Sequence, residues 1–125
     1  MIDKIKILEV GKFYLIHDGS KTGHPGLIIW KDDEHNLYLA IKFGTSKNEH
    51  NIRFKHPVGL GGKQSYFYKK SFLGKRRDFG SISFNDMIVT STEMTSLKNG
   101  VDIMNPTFSS SINRKDKRFD KRTIQ

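Results

Sequence analysis

Two apolar runs separated by a polar tip constrain this chain more than any other feature of it. Leu27-Ile28-Ile29-Trp30 is short and continuous, and Gly23-His24-Pro25-Gly26 precedes it. Leu37 to Phe43 alternates, with Leu37, Leu39, Ile41 and Phe43 on one face and Tyr38, Ala40 and Lys42 on the other, because successive strand side chains point to opposite faces. The polar stretch Lys31 to Asn36 lies between the runs and makes the turn of a hairpin. The first run reads as a central strand buried on both faces, and Pro25, which has no N–H to donate, belongs at its entry. In such a hairpin the loop before the first strand and the loop after the second share one end of the sheet. The imidazole of His24 is thereby expected to meet the hydroxyls of Thr45 and Ser46 and the ammonium of Lys47.

The remaining chain adds strands to this hairpin. Ile5, Ile7 and Val10 form a loose lead-in, and Gly11 opens a clearer strand from Lys12 to His17 with Phe13, Leu15 and His17 on one face. Asp18 to Gly23 is dense in turn formers and reads as a flexible loop. After a polar loop from Ser46 to Asn51, Ile52 to His56 alternates until Pro57 stops it, and Val58 to Lys63 is a glycine-rich connector. Ser65 to Leu73 is aromatic-rich and β-prone, and Lys75-Arg76-Arg77 closes it. Thr90 and Glu93 carry capping-box spacing, which predicts a helix from Ser91 to Lys98 with Asn99-Gly100 as its stop and Met94 and Leu97 docked on the sheet. The end, 109–125, reads as a solvated or partner-ordered basic tail. The expected fold is mainly β with some α, a small curved antiparallel sheet or open barrel with peripheral helices, in one domain spanning 1–125.

Charge narrows the function. The 22 Lys and Arg outweigh the 13 Asp and Glu, for a formal +9, which favours a polyanion: nucleic acid, an anionic membrane or an acidic protein. With no Cys, disulfides and thiolate metal sites are excluded. No apolar stretch approaches the roughly 20 residues that span a bilayer, and no secretion signal opens the chain. The expectation is a cytoplasmic protein with no membrane partner.

Several motifs fail on inspection. Gly61-Gly62-Lys63 lacks the Ser or Thr and the upstream Gly of a phosphate loop. His17, His24, His35, His50 and His56 show no metal-ligand spacing, so no metal and no cofactor is expected. His24 is different, because Gly23 and Gly26 beside it permit close approach of a ligand. Cutting RNA without a metal needs a base for the 2′-hydroxyl, an acid for the departing 5′-oxygen and positive charge for the phosphorane. An imidazole supplies proton transfer, and Lys47 with Thr45 and Ser46 would hold the phosphate. An exposed loop histidine with no such role is the alternative.

A second cluster interleaves Tyr66, Tyr68, Lys69, Lys70, Phe72, Lys75, Arg76 and Arg77, as single-stranded nucleic acid requires: cations for phosphates and ring faces for bases. The same pattern suits core aromatics flanked by solvated lysines, and the residues leave both open. Strand parity puts Phe67 and Leu73 inward, with Tyr66, Tyr68 and Phe72 on the other face. Lys21, Lys42, Lys55 and Lys63 extend the candidate RNA-binding set, as do Arg114, Lys115, Lys117 and Arg118 of the tail.

At these residues the chain resembles a known group. Gly11 to Ile16, a Gly/Ser loop and then His24-Pro25-Gly26-Leu27-Ile28-Ile29 are similar to the opening of the MazF/Kid (PemK-like) toxin ribonucleases. Ile41 to Ser46 resembles that family's strand ending in a catalytic hydroxyl residue, and Ser65 to Gly80 its later strand and basic turn. Within that superfamily Thr45-Ser46-Lys47 looks closer to the type III toxins of the ToxN, AbiQ, TenpN and CptN groups, which a structured RNA inhibits. The resemblance covers roughly residues 11 to 80. It implies a metal-independent endoribonuclease toxin of a toxin–antitoxin system, with Thr45, Ser46 and Lys47 in the catalytic loop. His24 stands where the MazF group has an Arg, so either this branch divides the labour differently or Lys21, Lys42 or Lys55 takes part.

The expected activity is cleavage of single-stranded RNA to 2′,3′-cyclic phosphate and 5′-hydroxyl ends. The expected partners are substrate mRNA and an antitoxin RNA, in a cyclic toxin–RNA assembly. Rival readings are a non-catalytic RNA-binding module and a MazF-like toxin held by an acidic protein antitoxin.

Overall fold

The alternation that marks the hairpin builds a six-stranded sheet. A computed structural model describes residues 7–49, 51–55, 58, 63–80 and 89–112. The strands are β1 (Phe13–Ile16), β2 (His24–Asp32), β3 (Leu37–Gly44), β4 (Asn51–Arg53), β5 (Tyr66–Gly74) and β6 (Asp102–Phe108), with a single-turn 3₁₀ helix at Arg76–Asp78 and α1 at Ser91–Gly100. The order β1-β2-β3-β5-β4 is antiparallel throughout. The sheet is open, with one peripheral α-helix among the described residues.

Both faces of the sheet are covered. Phe13, Leu27, Ile29, Leu39, Ile41, Phe43, Phe67 and Leu73 belong to one core, and Tyr14, Ile16, Ile28, Tyr38, Ala40, Phe72 and Phe79 to the other. Strand parity explains the division, and the central strand carrying Leu27 to Ile29 is buried on both sides as its continuous apolar run requires. β1 is buried on both sides too. Phe13 belongs to the first core, and Tyr14 and Ile16 are fully buried in the second.

β2 is longer than its apolar run, starting at His24 opposite Ile16. Pairing to β3 begins only at Gly26, so Pro25 sits where β2 has not yet met that neighbour. β4 ends at Arg53, shorter than the expected strand, whose last residue, His56, lies outside the described residues. The capping box forms as its spacing predicts: Thr90 Oγ1 accepts from the Glu93 amide at 3.1 Å, and Glu93 Oε1 accepts from the Thr90 amide at 3.3 Å. Leu97 is buried in the first core and Met94 packs against it.

β6 has no counterpart in the sequence reading. It runs parallel to β5, which is possible because α1 carries the chain back across the sheet between them. β4 pairs with Tyr66 to Tyr68 and β6 with Lys70 to Leu73, so the two share one edge of β5 end to end. The segment read as a tail begins at Ser109, yet its first residues are tied down. The Ser109 amide donates to the Leu73 carbonyl at 2.9 Å, and Ile112 joins the first core. The rest of that segment, with Arg114, Lys115, Lys117 and Arg118, lies outside the described residues. Among the described residues no helix is long and apolar enough to cross a membrane.

Candidate functional site

The chain leaves β1 at Ile16 and re-enters the sheet at His24, and the loop between folds back on itself. Asp18 accepts at Oδ1 from the Ser20 amide (3.1 Å) and the Ser20 hydroxyl (2.6 Å), the local turn that an Asp favours two residues ahead of a partner. Gly19 and Gly23 take left-handed φ values of 86° and 71°. At Gly23 a Cβ would also stand 2.6 Å from the Ile16 carbonyl oxygen, so the return of the loop depends on glycine there.

This turn aims the other carboxylate oxygen of Asp18 at an imidazole and an ammonium. Oδ2 lies 2.6 Å from His24 Nδ1 and 3.2 Å from Lys42 Nζ. Burial opposes ionisation of Asp18, but the Ser20 hydroxyl and amide, Lys42 and His24 outweigh it and hold the carboxyl well below the usual carboxylate range. An ionised carboxylate only accepts, so Nδ1 of His24 carries the proton and Nε2 is left for a ligand. Lys42 Nζ stands 4.6 Å from the centre of the Tyr68 ring, and the His24 ring meets Tyr68 edge-on at 5.8 Å. Gly44 makes this meeting possible: a Cβ there would come within 3.2 Å of the Tyr68 hydroxyl and 3.3 Å of His24 Cδ2.

A ladder irregularity lies opposite Lys42. β3 and β5 slip register between Ile41 and Phe43, where β5 passes from Ser71 to Phe67. The extra residues of β5 at this step include Tyr68 and Lys70, and such bulges re-aim side chains. The cluster opens onto a groove of about 500 Å³ lined by His17, Asp18, Lys42, Tyr68, Lys70, Phe72 and the end of β6 at Thr107 to Ser110.

The expected site is therefore brought together in part. The loops before β2 and after β3 do share one end of the sheet, as the approach of His24 to Gly44 shows. The groups bonded to the imidazole, however, are Asp18 and Ser20. Thr45, Ser46 and Lys47 follow Gly44 as an exposed loop, in which the Ser46 carbonyl accepts from Asn51 Nδ2 at 2.9 Å. Asp18 and Ser20 carry one sequence signal of this role, their Asp-x-Ser spacing in a turn-rich loop.

The candidate RNA-binding residues scatter. Lys42, Tyr68 and Lys70 line the groove, and Tyr66 is half-buried at the strand pairing of Gly44 and Arg53. Lys21 and Lys63 are exposed. Lys69 donates to the Glu49 carbonyl at 3.2 Å, and Lys55 pairs with Glu93 of α1 at 3.8 Å. Lys75, Arg76 and Arg77 line a separate notch with Asn36 at the hairpin-tip end of β5. Asp32, Glu34 and His35 gather ligand atoms within 4.8 Å of one another at that tip. This is the kind of exposed acidic group that hairpin turns carry, and it stands at the opposite end of β2 from His24.

No protein-family model matches the chain, and no curated protein matches it either.

Proposed function

We propose that the protein is an endoribonuclease toxin of a toxin–antitoxin system, cutting single-stranded RNA without a metal to leave 2′,3′-cyclic phosphate and 5′-hydroxyl ends. The observation that carries this reading is the His24 imidazole, oriented by Asp18 with Lys42 alongside, its two partners lining a groove that also holds Lys70. With Nδ1 committed to Asp18, Nε2 takes the proton of a 2′-hydroxyl. The 2′-oxygen–phosphorus bond forms, the phosphorus–5′-oxygen bond breaks, and the leaving oxygen takes a proton from water in the open groove. Lys42 turns from Asp18 to the phosphoryl oxygens and offsets their growing charge. Thr45, Ser46 and Lys47, on the loop that leaves Gly44, hold the neighbouring phosphate.

The resemblance of residues 11 to 80 to MazF/Kid and type III toxins supports the toxin assignment. The +9 charge suits a structured antitoxin RNA bound in a cyclic toxin–RNA assembly, and cytoplasmic RNA is the natural target. Purified protein incubated with RNA in chelator tests the activity. Cleavage that persists there, produces cyclic phosphate ends and disappears in His24→Ala and Lys42→Ala is the expected result. Cleavage indifferent to both substitutions would sink this site.

A further inference from the structure

The groove lined by Asp18 and Lys42 extends to the end of β6, a stretch that the cleavage step leaves unused. Its lining includes Thr107, Phe108 and Ser110, at and just beyond the end of β6. Phe108 leaves 47% of its surface exposed, although its chain is fixed on both sides. Its register partner is Leu73, and the next residue, Ser109, donates its amide to the Leu73 carbonyl and its hydroxyl to Asp78 Oδ2 at 2.6 Å. An aromatic ring on so constrained a backbone gives up little entropy when a flat partner covers it. The Thr107 and Ser110 hydroxyls are exposed and make no hydrogen bond among the described residues. Lys42 and Lys70 supply positive charge to the same cavity. At about 500 Å³ it has the size of a small-molecule pocket. An aromatic platform, hydroxyls able to donate and accept, and nearby ammonium groups together match one ligand chemistry: a planar heterocycle tethered to phosphate.

We propose that this cavity is a base-recognition subsite. One nucleobase beside the scissile phosphate stacks on Phe108 and presents its edge to Thr107 and Ser110, so the end of β6 selects where RNA is cut. This rests on the ribonuclease reading, and two measurements keep the two separable. The first is cleavage of RNA with randomised positions, the products sequenced, by the unmodified protein, Phe108→Ala and Phe108→Tyr. A preference at one position flanking the cut should vanish in Phe108→Ala, with cleavage of the preferred sequence falling roughly tenfold, and survive in Phe108→Tyr. The second is a titration of Phe108→Trp with 2′-O-methyl oligonucleotides, which bind but cannot be cut. Its fluorescence should change on binding, against the constant contribution of Trp30.

An unchanged preference in Phe108→Ala overturns the subsite and leaves the nuclease standing. So does oligonucleotide binding, seen by anisotropy, with no change in the fluorescence of Phe108→Trp. If the unmodified protein cuts no RNA, the nuclease reading fails, and the titration alone decides whether a base stacks at position 108. Absence of any oligonucleotide binding ends both.

Discussion

Among the described residues two aspartate–histidine pairs lie one toward each end of β2, and their bond lengths are the same. Asp18 Oδ2 and His24 Nδ1 are 2.6 Å apart, as are Asp32 Oδ2 and His35 Nδ1. Their surroundings differ. At the hairpin tip the partners are three residues apart in one turn, and Lys31 is engaged by Asp33 at 3.0 Å. At the other end the pair closes a loop, its carboxylate also binds Lys42 from β3, and its imidazole rests against Tyr68 from β5. An oriented imidazole is common. One held beside a cation that lines a groove requires three strands to converge, and that convergence is what distinguishes a candidate site from a well-made turn.

The widest separation between the two ends should appear in activity. His24→Ala is expected to lower RNA cleavage by about 10²–10⁴-fold, the usual contribution of a general base, while His35→Ala leaves the rate near that of the unmodified protein. Equal losses in a single-turnover assay would break the comparison. Lys42→Ala comes next, with a loss of about 10²-fold in kcat, whereas Lys31→Ala should be silent in the same assay.

Left-handed backbone provides a smaller contrast. Gly23 and Asn36 both have positive φ, 71° and 54°, and at Gly23 an added Cβ would also meet the Ile16 carbonyl oxygen at 2.6 Å. Gly23→Ala should cost about 1–3 kcal/mol in urea unfolding. Asn36→Gly should cost less than about 1 kcal/mol, chiefly through the bond that Asn36 Oδ1 accepts from the Arg76 amide.

A further contrast appears in acid. Both carboxyls titrate below their ordinary range: Asp18 because its hydrogen bonds overcome burial, Asp32 mainly through the hydrogen bond from His35. A carboxyl whose folded-state pKa is depressed adds stability above the unfolded value near ~3.9 and loses it as pH falls through the folded value. Asp18→Asn should therefore destabilise at pH 7 by about 1–2 kcal/mol, with the difference shrinking below about pH 4. Asp32→Asn should show the same sign with smaller size. Melting curves at both pH values check this, and an Asp18→Asn penalty that grows in acid would contradict the assignment of charge.

Much of the fold was legible because it is local. Period-two alternation gave β3 and its two faces, the continuous run gave a strand buried on both sides, and Thr90 with Glu93 marked the start of α1. The site was legible in half. The glycines around His24 marked a place of close approach, and hairpin logic brought the loops to one end. Asp18 escaped notice because its role depends on the return path of a loop, which the left-handed glycines permit but do not dictate. β6 escaped because Asp102 to Phe108 contains Pro106 and no apolar alternation, so its pairing with β5 is set by a crossover rather than by its own residues.

By itself, then, the sequence determined a basic, cysteine-free chain with a two-faced β-hairpin at its centre and a capped helix near its end. Nearest-neighbour sterics and side-chain periodicity are enough to specify those features. Tertiary structure alone decided that Asp18, His24, Lys42 and Tyr68 share one corner and that β6 ends beside them. Those contacts join residues from three strands and a crossover, and their geometry follows from ladder register and bulges that no local pattern encodes.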